Sequence, residues 1–577
     1  MSLLAWSWLF PLPGLILTAA GLPAGQRRAG WLSLPGPIVL LVVAGAALAG
    51  GGSAQVAYPN WLPFLPDGAF RILADPLSAT MLAIVGFIAS LVYIYSQGYM
   101  ADDPGKRRFF VFLDLFVATM TVLVLAGNLA VLLIGWTGVG ISSFLLISFW
   151  RDRPGTLGAG LQALAANAIG DGALLLAASV LPTGCGALVG LSAPNCTTGV
   201  GGVELIALAI FVAAAAKSAQ GPLYFWLPSA MAGPTPISAL IHAATMVAAG
   251  VYLLVRTHAL FGLAPTVSLW VAGIGVATAI AASVASLLQA NFKRGIAYST
   301  VAQLGYMFAA VGVGAPFAGF FHLFTHAGFK ALLFLAAGVV IHGVGGEELL
   351  ARLSGLGRRF TFSFWGFLLG SLALIGVPLF SGAFSKDAIV EAALERQPIV
   401  GYLLLACVLL TGAYIGRLFF RVYLGPLAER AETPENSHGG HHEDPAAARL
   451  MNWALVPLMV AAVFAGWAGG GLQTALASTV GGDEQLTVIN GTGLVAAALG
   501  LVGFFAAGWF VRREARPRVV ANEGTPGPDG WVRAIGDGGY ALAQAFSGVQ
   551  SGLLPRYAFG SIFALAVVLL LTRVVLR

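Results

Sequence analysis

Ala213–Met246 reads AAAAKSAQGPLYFWLPSAMAGPTPISALIHAATM. Its opening run is as apolar as a membrane helix, yet it holds Lys217, then Gly221 and Pro222, and later His242. Pro222 has no backbone N–H, and its ring clashes with the carbonyl of Ser218 four residues back. A helix here must open, freeing backbone polar groups beside the lysine. A lysine at the centre of a bilayer costs about 2.5–3.5 kcal/mol even on lenient insertion scales. Snorkelling relieves that cost near a helix end, but LIALAIFVAAAA precedes Lys217 and GPLYFWLP follows it. A buried cation at an interrupted membrane helix marks an ion path through a helical bundle.

The rest of the chain agrees. It has 577 residues, 58% hydrophobic and only 9% charged, which excludes a soluble domain and implies an all-α polytopic membrane protein. The net charge of +6 sits in short loops between apolar runs, so it is no nucleic-acid signal. Three cysteines are too few for an iron–sulfur cluster, which usually takes four. No c-type haem, Walker A or dinucleotide-binding fingerprint is present. The first apolar run lacks a basic leader and reads as a retained helix.

Sixteen apolar segments follow one another, near 3–21, 35–52, 75–97, 109–126, 128–149, 158–182, 203–228, 236–260, 267–290, 295–313, 318–343, 362–393, 399–424, 451–472, 489–511 and 558–576. Most have the roughly 17–25 residues a span needs. Odd-numbered loops carry the basic residues: Arg27 and Arg28, Lys106–Arg108, Arg151 and Arg153, Lys293 and Arg294, Arg352, Arg358 and Arg359, and then the loops near Arg417–Arg449 and Arg512–Arg518. Only the short seventh lacks them. The even loops and tails hold Arg71, Arg256, Arg396, Arg573 and Arg577. Basic loops stay cytoplasmic, so both termini are expected on the outer side. The sixth loop, on that side, contains Cys185 and Cys196, which fit either a disulfide or two free thiols.

Two further lysines fall within spans. Lys386 follows the Pro/Gly-interrupted IGVPLFSGAFSKDAI, where Pro378 breaks the helix as Pro222 does. Interruptions at matching positions of two halves point to an ion path. The halves are segments four to eight and nine to thirteen, and units of five spans must have opposite topology. Lys330 ends HLFTHAGFK, where His322, His326 and Lys330 recur every four residues and form one helix stripe. Burial disfavours charge on a lysine and histidine titrates near neutrality. With His242 these are proton carriers in preference to metal ligands, because no acid or cysteine completes a metal site. Core histidines bonded to carbonyls are the plainer alternative. Four acids, Asp75, Asp114, Asp171 and Asp387, lie in spans or at their ends, and Asp387 is a candidate counter-charge for Lys386. SHGGHHEDP in the thirteenth loop reads as solvated loop rather than metal site.

AKSAQGPLYFWLPSAMAGPTPISALIHAATMVAAGVYLL, FKRGIAYSTVAQLGYM, HLFTHAGFKALLFLAAG and FSGAFSKDAI closely resemble the antiporter-like subunit L of bacterial respiratory NADH-quinone oxidoreductase (complex I), a family related to multi-subunit Na+/H+ antiporters. The resemblance runs from about Asp75 to Leu424 and continues more weakly beyond. It implies broken seventh and twelfth helices and two inverted five-helix repeats. The organisation expected is N-terminal helices in 1–108, a first repeat in 109–260, a second in 261–425, and C-terminal helices in 426–577. The resemblance implies that Lys217 is the central lysine of the first half-channel and that His242 links the halves. It makes Lys330 the middle lysine and Lys386 the terminal residue. It also implies a subunit of the bacterial plasma membrane that moves protons and carries no redox centre. NADH, FMN, iron–sulfur clusters and quinone belong to partner subunits.

The departures are informative. Where the family reads GWEGVG this chain has GWTGVG, so Thr137 replaces the glutamate that pairs with the first lysine. NRIGD is NAIGD, with Ala168 for the arginine and Asp171 kept, and WLPDAM is WLPSAM, with Ser229 for the aspartate. Asp114 stands where the family usually has asparagine. It is the favoured substitute for the missing acid, ahead of Asp171. The family's long lateral helix has at most about 46 residues here, at about 512–557, broken by EGTPGPDG, where an unbroken helix would span about 70 Å. Two other functions fit. One is an antiporter-type subunit of a cation/proton antiporter, membrane hydrogenase or inorganic-carbon uptake complex. The other is a structural subunit whose first half-channel is dead.

Overall fold

A computed structural model describes residues 1–20, 25–58, 61, 69–181, 185, 187–188, 200–426, 445–481 and 491–513. They lie in one compact unit, Met1–Val519. The second unit, Val520–Arg577, lies outside the described residues, as do the sixteenth segment, almost all of the lateral segment, SHGGHHE and Asp444, and Cys196.

The N-terminal part comprises α1 (Pro11–Ala20), α2 (Gly25–Ser33), α3 (Pro35–Gly50) and α4 (Pro76–Tyr99). Next come α5 (Lys106–Leu125), α6 (Leu129–Ile147), α7 (Thr156–Val180), α8 (Val200–Lys217), α9 (Trp226–Ser229), α10 (Thr235–Ala243), α11 (Met246–Arg256) and α12 (His258–Gly262). The following group is α13 (Pro265–Leu288), α14 (Phe292–Gly312), α15 (Pro316–Gly343), α16 (Thr361–Ile375), α17 (Ser381–Arg396) and α18 (Pro398–Phe419). The C-terminal helices are α19 (Pro445–Phe464), α20 (Gly469–Val480) and α21 (Gly491–Arg513). Among the described residues, 11 helical stretches are long and apolar enough to cross a membrane, with shorter apolar helices at Leu4–Ala20 and Thr361–Ile375.

The fold is predominantly helical rather than all-α. A two-stranded antiparallel ribbon pairs β1 (Ala54–Tyr58) with β2 (Phe70–Ala74), Ala54 facing Ala74. Hydropathy did not reveal it because both strands lie between spans and are short.

Local chemistry sets the helix starts. Asp75 and Ser78 form a reciprocal capping box on α4, with Pro76 in the first turn, while Asn128 and Asn291 cap α6 and α14. The helix stops matter more for function. The seventh apolar segment is helical to Lys217, then turns through Ser218–Phe225. The twelfth ends as helix at Ile375 and restarts at Ser381. Among the described residues, the non-glycine positions with positive φ are Ala219 (51°) and Leu379 (74°), one in each interruption. Each costs about 1–2 kcal/mol relative to the right-handed form. The eighth segment is also divided, between α10 and α11, which its sequence did not announce. There Thr245 donates its hydroxyl to the Leu240 carbonyl at 2.7 Å, which Ala244 N–H also bonds at 3.3 Å, so the hydroxyl caps the end of α10.

Burial identifies the interior helices. The most apolar window of Thr235–Arg256 is 100% buried and that of α15 is 89%, against 39% for α7. The stripe on α15 and His242 on α10 therefore face protein and not lipid.

Candidate functional site

Lys217 ends α8 fully buried. Its ammonium donates to the Trp136 carbonyl at 2.8 Å and lies 5.2 Å from the centre of the Trp136 ring. A Cβ at Gly140 would stand 3.3 Å from Nζ, so the glycine leaves room for the ammonium. The acid that Lys217 answers to electrostatically is Asp171 on α7, and the Thr137 hydroxyl is the hydrogen-bond neighbour of that carboxyl. Asp171 Oδ1 keeps no hydrogen-bond partner. Both Thr137 and Asp171 are half-buried, and Ala168 is exposed.

The two candidate acids lie in different surroundings. Asp114 is buried completely and accepts hydrogen bonds from Tyr93 at 2.8 Å and Ser33 at 2.5 Å, with Thr18 beyond Ser33 at 3.0 Å. It belongs to a hydroxyl cluster between α1, α2, α4 and α5, whereas Asp171 is the carboxyl whose charge acts on Lys217.

The interruption after Lys217 satisfies its own backbone. Gly221 N–H donates to Thr278 Oγ1 at 3.0 Å, and Trp226 Nε1 to the Ala216 carbonyl at 2.9 Å. Ser218 donates to the Val247 carbonyl at 2.7 Å. A Cβ at Gly250 would meet Ser218 Oγ at 2.2 Å, so α11 approaches this turn only through glycine. Pro222 is exposed and the peptide before it is cis, while Ser229 is half-buried on α9.

His242 is fully buried at the end of α10, its ring centroid 4.5 Å from that of Phe334, and neither ring nitrogen has a protein hydrogen-bond partner. On α15, the His322 and His326 centroids lie 6.1 Å apart. Lys330 donates to Ser299 Oγ at 2.5 Å. Lys386, one turn into α17, donates to the Leu374 carbonyl that its own interrupted helix leaves free, and lies 5.4 Å from the Tyr306 ring centre. Asp387 is half-buried and electrostatically coupled to Lys386. Lys217, His242, Lys330 and Lys386 are all at most 1% exposed, as are His322 and His326.

Several polar partners were invisible as such. Ser299, Gln303, Thr325 and Ser385 are each 0% exposed and bond the stripe, yet nothing marks them apart from other small polar residues. Lys293, read as an orienting loop charge, is buried. It pairs with Glu348 at 3.1 Å and donates to the Met231 and Gly233 carbonyls. Cys185 is in a disulfide and Cys407 is a buried free thiol.

A separate ion pair ties three helices together. Arg256 grips both oxygens of Asp75 and donates to Tyr252, which donates to the Val124 carbonyl at 2.7 Å. Burial raises the Asp75 pKa, but Arg256 and the Ser78 hydrogen bonds outweigh it and hold the carboxyl below its ordinary value. The stabilisation is thus fully present above the ordinary carboxylate range and lost as pH falls through the lowered native value. Arg256→Ala, which strands a buried carboxylate, is expected to cost about 3–5 kcal/mol. Thermal unfolding in detergent checks this, and a wild-type midpoint would show the pair to be dispensable.

Residues 126–411 match the family model described as NADH:quinone oxidoreductase/Mrp antiporter, TM, and residues 65–110 match NADH-Ubiquinone oxidoreductase (complex I), chain 5 N-terminus. NADH-quinone oxidoreductase subunit L of Mycobacterium tuberculosis is 39% identical over 510 residues, covering 84% of this chain and 78% of its own length. NAD(P)H-quinone oxidoreductase chain 5 of Synechocystis is 40% identical over 450 residues, covering 73% and 66%. The Mrp complex of Dietzia sp. DQ12-45-1b contains a chain that matches with a TM-score of 0.76 at 26% identity. The match covers 99% of this chain but only 63% of that one, less than two thirds. The archaeal membrane-bound sulfane sulfur reductase matches at a TM-score of 0.72 and 20% identity, a likeness of fold.

Proposed function

The chain belongs to the NADH-quinone oxidoreductase subunit L family, and from that premise we propose that it is the proton-translocating membrane subunit of a complex I-like enzyme. The observation that carries the proposal is the line of buried lysines and histidines through the interior helices, at most 1% exposed. Protons enter the lysine groups, pass by way of His242 and the α15 stripe, and leave near Lys386 and Asp387. Asp171 and Thr137 attend Lys217. The chain supplies no redox centre; NADH, FMN, iron–sulfur clusters and quinone sit in partner subunits, whose reaction drives the transfer.

Sixteen spans in the plasma membrane form two inverted five-helix repeats, 109–260 and 261–425, between terminal regions 1–108 and 426–577. The two interruptions support this. Each falls in the fourth segment of its unit, and each contains one left-handed non-glycine residue. Both termini lie outside. Reporter fusions at Arg153, Arg294 and Arg359 should read cytoplasmic, and one near Cys185 should read outer. Two inverted readings would sink this topology.

The function is tested on the assembled complex in sealed vesicles. NADH-driven quinone reduction should acidify one side through this subunit. Sodium–proton exchange without any quinone reductase activity in the purified assembly would instead support an Mrp-type role. The 0.76 TM-score to an Mrp chain keeps that second reading open, while the 39% identity to a subunit L favours the first.

A further inference from the structure

His322 is the one member of the α15 stripe with a protein partner on each ring nitrogen. Nδ1 lies 2.9 Å from Ser385 Oγ and Nε2 lies 3.1 Å from Gln303 Oε1. An amide oxygen only accepts hydrogen bonds, so Nε2 carries the hydrogen. At its other end Gln303 Nε2 donates to the Tyr414 hydroxyl at 3.4 Å. On the opposite side Ser385 Oγ lies 2.6 Å from Thr325 Oγ1, and Thr325 Oγ1 lies 3.2 Å from the His322 carbonyl.

Resting on the proton path proposed above, we infer that Ser385 and Thr325 form a two-hydroxyl relay that loads and unloads His322 at Nδ1, with Gln303 as the positioning residue that fixes Nε2–H. The contacts admit two complete arrangements. With the ring neutral, Thr325 donates to Ser385, Ser385 donates to Nδ1, and Nε2–H donates to Gln303. With the ring protonated, Nδ1–H donates to Ser385, Ser385 donates to Thr325, and Thr325 turns to the His322 carbonyl. Between the two, a protonated water of the proposed path gives one proton to Thr325 Oγ1, the Thr325 proton passes to Ser385 and the Ser385 proton forms the Nδ1–H bond, and unloading runs the same steps in reverse. Each O–H that breaks is replaced on the same oxygen, and no buried donor loses its acceptor.

The same geometry gives the relay a single port. Gln303 cannot release a proton from its amide oxygen, so the Nε2 side is closed while that contact holds. The mobile proton of His322 is confined to the side of Ser385, the residue before Lys386 on α17. The sequence hid this because the three hydroxyl and amide groups come from α14, α15 and α17, distant in the chain.

The test uses the assembled complex with proton translocation measured per electron pair. Ser385→Ala and Thr325→Val are expected to lose the translocation carried by the second half, and Ser385→Thr, which keeps a hydroxyl, to retain it. Nitrogen NMR of isotope-labelled histidine, with the His322→Gln complex identifying the signal, should show His322 in the Nε2–H tautomer. Gln303→Leu should convert that single form to a mixture. Wild-type translocation in Ser385→Ala or Thr325→Val, equal loss in Ser385→Ala and Ser385→Thr with assembly intact, or an Nδ1–H tautomer in the native complex would each overturn the relay. Lys330→Met separates this from failure of the broader proposal. If Lys330→Met also pumps normally, the path itself is wrong; if it fails while Ser385→Ala pumps, only the relay is wrong.

Discussion

Lys330→Met should abolish the translocation carried by this subunit while leaving the complex assembled. Lys330 is fully buried, its one hydrogen-bond partner is the neutral Ser299 at 2.5 Å, and the charged group it feels is another cation, Lys386. No carboxylate is stranded when it goes. That separates it from Arg256, whose loss leaves Asp75 buried without its cation. Placing an ammonium in a bilayer core costs about 2.5–3.5 kcal/mol, and a methionine of similar length removes that cost and still fills the space. Stability should therefore be kept or raised and function lost, which is the signature of a working group rather than a structural one. Vesicle acidification by the assembled variant, together with its unfolding midpoint, checks both halves of this expectation. Full pumping would remove Lys330 from the path, and failure to assemble would show that the ammonium is structural.

The parts of this arrangement that were legible in the sequence share a physical cause. Apolar runs of membrane length have one plausible environment, and an ammonium such as Lys217 stands out against it. Gly221–Pro222 and Gly376–Pro378 announce interruptions because proline cannot continue a hydrogen-bond ladder. The i, i+4 spacing of His322, His326 and Lys330 follows from helix geometry alone. What stayed hidden depends on which helices are neighbours. Thr325 and Ser385 are 60 residues apart and 2.6 Å apart in space. The break before Met246 is accompanied by one threonine hydroxyl bonded back to Leu240, which has no counterpart in hydropathy. Lys293, a basic residue at a helix start, is buried in an ion pair, which its loop position did not reveal.

The choice between Asp114 and Asp171 shows the same limit and yields the second large effect. The resemblance suggested Asp114, since it stands where the family usually has asparagine. The structure places the Thr137 hydroxyl of α6 at the α7 carboxyl of Asp171, whose charge acts on Lys217, and that favours Asp171 as the acid. Losing a glutamate and an arginine together leaves one acid facing one lysine. Asp171→Asn should therefore uncouple the first half, because Lys217 then has no carboxylate against which to change its charge. Asp114→Asn should leave translocation unchanged, since an amide oxygen still accepts from Tyr93 or Ser33. Thr137→Glu adds a second carboxylate beside the first, and like charges so close oppose each other. It should impair pumping by itself. Ala168→Arg lies one turn from Asp171 on α7, so adding it restores the balance of two acids and two bases and should recover the activity. Pumping per turnover in the four complexes decides the matter. Normal pumping by Asp171→Asn, or loss in Asp114→Asn with assembly intact, would return the acid to Asp114 on α5. Improved pumping by Thr137→Glu without Ala168→Arg would mean that the first half lacks an acid and that Asp171 does not serve Lys217.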